Sequence, residues 1–138
     1  MRKVTRGAGW IRVIVATVRA IVATGADAEE YLTDLVPGYQ GVITKVSSIV
    51  MVAGTGANAT RLFRLLKGTS TVVASKTIAL ADVTTKGIVI DWTLSTTPEH
   101  REFGDTDTLS LDVTAAGTEF TALTMDVLVQ GRQRPQQL

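Results

Sequence analysis

Four groups of residues in this chain are of types that could do chemistry. The first is His100, the only histidine, in the polar stretch TPEHREFGD. A Ser-His-Asp arrangement built on it would need a nucleophile elbow, and none is present. A single histidine with no cysteine anywhere also excludes multi-histidine and thiolate zinc sites. The second group is Glu99, Glu102, Asp105 and Asp107, hard oxygen ligands close enough together to hold calcium. Their spacing does not follow the twelve-residue calcium loop, and aspartates in such a loop cap turns and stay hydrated. Paired carboxylates could also hydrolyse glycosides, but two Trp, two Tyr and three Phe in all are few for aromatic sugar platforms. The third is the glycine-rich GTGAN at 54–58, which lacks the Gly-Lys-Ser/Thr ending of a phosphate cradle and precedes a strand pattern, so it reads as a connector. The chain is expected to be no enzyme and to use no metal or cofactor.

The fourth group is a matter of charge. The first 25 residues carry Arg2, Lys3, Arg6, Arg12 and Arg19 and no acid, whereas 99–126 carry seven acids against Arg101. A basic arm, MRKVTRGAG, could dock on an acidic partner surface or stay a solvated terminus. Positives without interleaved aromatics do not favour nucleic acid. At the other end Arg132 and Arg134 lie in GRQRPQQL.

These groups must be positioned by a small, bland chain. Its 138 residues suit one domain and one core, and 45% hydrophobic against 20% charged residues leaves a surface of Thr, Ser, Gly and Ala that expects burial against other subunits. Residues 10–23, WIRVIVATVRAIVA, are too short to span a bilayer and are interrupted by Arg12 and Arg19, so neither a membrane segment nor a signal peptide is expected. The β-branched residues of 11–24 favour a strand, although a 3.6 period also fits.

The clearest pattern runs from Phe103 to Gln130. Leu109, Leu111 and Val113 alternate with Ser110, Asp112 and Thr114, and Leu123, Met125, Val127 and Val129 repeat the alternation. Ala115-Ala116-Gly117-Thr118 between them predicts a tight turn, hence a closing β-hairpin. Further strands are predicted over 41–53, 59–67, 72–80 and 88–94, with at most one short helix, before Pro37. About eight strands with short turns predict an all-β, jelly-roll-like antiparallel sandwich over 10–130, flanked by an arm at 1–9 and a tail at 131–138. The predicted core is Val46, Val50, Leu62, Leu66, Ile88, Ile90, Trp92, Leu109, Leu111, Val113, Leu123, Met125 and Val127. Trp10 fits either the core edge or an intersubunit contact.

The segments PGYQGVITKVSSIV, GTGANATRLFRLLKG, TVVASKTIAL and FGDTDTLSLDVTAAGTEFTALTMDVLVQ, about two thirds of the chain, resemble small jelly-roll structural proteins of tailed bacteriophages. The resemblance implies a capsid decoration, or cement, protein on the virion surface, with itself (a trimer favoured) and the major capsid protein as partners. Arg2, Lys3, Arg6, Trp10, Arg132 and Arg134 are then the expected contacts, and both tails are expected to lack partners within their own chain. A receptor- or carbohydrate-binding module at a fibre tip is the alternative, and a β-sandwich hydrolase the third reading.

Overall fold

The computed structural model describes residues 10–19, 40–56, 60–68, 70–104, 107–115, 120–121 and 123–133. Two antiparallel sheets face one another. The first orders β1 (Trp10–Arg19), β11 (Thr124–Gln133), β2 (Gly41–Val52) and β6 (Val89–Asp91), with β8 (Glu102–Phe103) also on β2. The second orders β7 (Thr93–Leu94), β5 (Thr71–Ala79), β4 (Thr60–Lys67) and β9 (Leu109–Ala115). A two-residue ladder joins β3 (Thr55–Gly56) to β10 (Phe120–Thr121). This is the all-β sandwich that the alternation predicts, and β1 is a strand as its β-branched residues require. Residues 20–24, the remainder of that predicted strand, lie outside the described residues.

Core side chains come from both sheets. Val46, Val50, Met125, Val127 and Val129 from the first meet Phe63, Leu65, Val73, Ile78, Leu109, Leu111 and Val113 from the second. Aliphatic residues thus fill the space between two pleated faces, as sandwich packing requires. At Gly131 the backbone of β2 lies close: a Cβ there would lie 2.7 Å from the carbonyl oxygen of Val42, so no larger residue fits without a shift.

Several expectations are corrected. No hairpin closes the domain, because β9 pairs with β4 while β11 pairs with β1 and β2, in opposite sheets. Alternation marks one apolar face on each strand but not the sheet to which it belongs, and here both faces meet across the core. The predicted strand 88–94 is likewise two, β6 on β2 and β7 on β5, with Trp92 at the crossing between sheets. Within β4 the inward residues are Arg61, Phe63 and Leu65, while Leu62 is only half-buried. Leu66 falls on the other face by alternation, opposite Ser110 of β9, and both are buried there, while against β5 the register shifts between Leu65 and Leu66. Ile88 packs on the core only partly buried. The other predicted core residues are buried.

Two boundaries also differ. Among the described residues the α-helix is α1 (Pro98–Arg101), inside the stretch read as a loop, where Pro98 at the first turn presets the helical φ, and the stretch before Pro37 lies outside them. Among the described residues, a 3₁₀ turn (Leu80–Val83) is added. At the C-terminal end β11 runs on to Gln133, so Gly131 and Arg132 belong to the sheet rather than to a tail.

Candidate functional site

The residues of chemical type are held in structural roles. Ser95 Oγ accepts the N–H of Thr97 at 3.2 Å and lies 3.0 Å from His100 Nδ1, which fastens the start of α1. With Ser95 accepting from Thr97, its hydroxyl is free to donate to Nδ1; the pair is a turn clasp.

The carboxylate loop is tied by its backbone. Lys67 Nζ donates to the carbonyl oxygens of Glu99 and Glu102, each at 2.8 Å, and Asp107 Oδ2 accepts the N–H of Gly104 at 2.7 Å. Gln40, Lys67, Glu99, Glu102, Phe103, Gly104 and Asp107 line an open polar cleft of about 340 Å³. Among the described residues no group of His, Cys, Asp or Glu could hold a metal ion. Asp105 lies outside them. Gly54 of the glycine-rich loop donates to the Val83 carbonyl at 2.8 Å, and β4 follows it, a connector between strands.

Several polar groups in and beside the core are matched, while Arg101 Nε is buried without a hydrogen-bond partner. Trp92 Nε1 donates to Ser48 Oγ at 3.0 Å, and its ring lies 6.1 Å from that of Phe63 at a tilt of 54°. On the face of β9 turned away from the core, Arg64 Nε donates to Asp112 Oδ1 at 2.9 Å and a second guanidinium nitrogen reaches Oδ2. That hydrogen bond, above all, raises the Arg64 pKa from its ordinary value. Ser110 donates to the Gly68 carbonyl at 2.8 Å. Both faces of β9 are therefore buried, although its polar positions read as solvent-facing.

The expected contact residues are placed in part. Trp10 is opposite Arg132 in the register, Arg132 is opposite Val42, and Val42 is opposite Glu102, one row across four strands. Arg132 is exposed. It has an interaction within the chain, which corrects the expectation that it lacks one. Arg2, Lys3, Arg6 and Arg134 lie outside the described residues. Since β1 starts in this row and β11 ends one residue past it, residues 1–9 and 134–138 lead off from the same end of one sheet.

An exposed apolar set was not singled out from the sequence: Met51 is 37% exposed, Val52 50% and Val89 60%. With Val46, Ser48 and Val50 pointing inward, Met51 falls outward by alternation, and Val89 does so between Ile88 and Ile90. No helix among the described residues is long and apolar enough to cross a membrane.

No protein-family model matches the chain, and no curated protein matches it. Among solved structures it is similar to a chain in the capsid of Ralstonia phage GP4, with a TM-score of 0.51 and 20% identity. The similarity covers 99% of this chain and 92% of that one. At this identity it is a likeness of fold.

Proposed function

We propose that this chain is a structural protein of a bacteriophage virion, a decoration or cement protein that binds the outer surface of the head as an oligomer, a trimer by preference. The observation that carries the reading is the near end-to-end likeness of fold to a phage capsid chain, 99% of this chain on 92% of that one. A thin inventory of reactive side chains, with His100 and Asp107 engaged in turns, supports an adhesive rather than a catalytic role. An oligomer seated across neighbouring shell subunits binds only the assembled shell, and so stabilises it by mass action.

Arg2, Lys3, Arg6 and Arg134, with Trp10 and Arg132 at their roots, are the contacts in this reading. The arms order against neighbouring subunits, and contact offsets the ordering cost. Deleting residues 1–9 is expected to leave the melting temperature nearly unchanged while weakening co-sedimentation with expanded heads, increasingly so as salt rises. Truncated protein that stays on heads as well as the full chain at every salt concentration removes the arm from the mechanism. An intact chain that never binds heads, and is absent from the head in cryo-EM of source particles, overturns the reading.

A further inference from the structure

We draw no further inference here: the strongest candidate, the groove between β5 and β6 with the exposed Val89 on its wall, carries nothing, because Lys76 and Lys45 balance the carboxylates of Asp82 and Asp91 and nothing in the structure shows what covers it.

Discussion

Trp92 stands where the chain leaves one sheet for the other, and its indole N–H is matched to a serine hydroxyl that water does not reach. Replacing Trp92 with Phe keeps a ring against Phe63 but leaves Ser48 without its donor. Denaturant unfolding should show a loss of roughly 1–3 kcal/mol, the cost of an orphaned buried polar group together with lost volume. Burial of Trp92 is legible from its place between apolar neighbours at period two. Its hydrogen bond is not, because Ser47 and Ser48 are alike in sequence, and only the register that puts Ser48 opposite Ile90 turns one of them inward.

At the scale of elements, β4 is the strand where pattern and structure part. In TRLFRLLK both alternations place apolar residues on one side, Leu62, Leu66 or Phe63, Leu65, and arginines fall in each. The inward set is the one with the aromatic ring, at the cost of burying Arg61. Leu65→Ala is therefore expected to cost about 2–5 kcal/mol in equilibrium unfolding, and Leu62→Ala less than about 1.5 kcal/mol. Equal losses would put the register of β4 in doubt. The same ambiguity explains the hairpin that does not form. Residues 109–115 and 124–133 have the alternation of paired strands, and a small-residue stretch lies between them, yet pairing depends on backbone partners about forty or more residues away that no local pattern records.

For the whole molecule, the pairings that build the sandwich are mostly distant ones. β2 meets β11 across about eighty residues, β4 meets β9 across about fifty, and among the described residues only β4 and β5 are paired strands that follow one another directly. Such topology predicts slow folding, with refolding after dilution from denaturant on the millisecond-to-second scale. A microsecond relaxation in stopped-flow or temperature-jump fluorescence would contradict the distant ladders. How far the fold could be read from sequence follows the same division. Strand positions are local properties and came through, whereas sheet membership, the crossing at Trp92 and the groove beside it are long-range products. The candidate contact row was half legible, since charge marks Arg132 but only the register shows it opposite Trp10.

The pairing of β1 with β11 also orders events during synthesis. Among the described residues β1 has no other strand partner, so the first described strand in chain order waits for the last of them. Until the ribosome has passed Arg132, the β-branched run of β1 is a hydrophobic strand with both edges open, exposed to chaperones and to other nascent chains. Closure of the first sheet covers one of those two edges. It also sets Trp10 opposite Arg132, so the contacts proposed at that row can form only after Arg132 has been made.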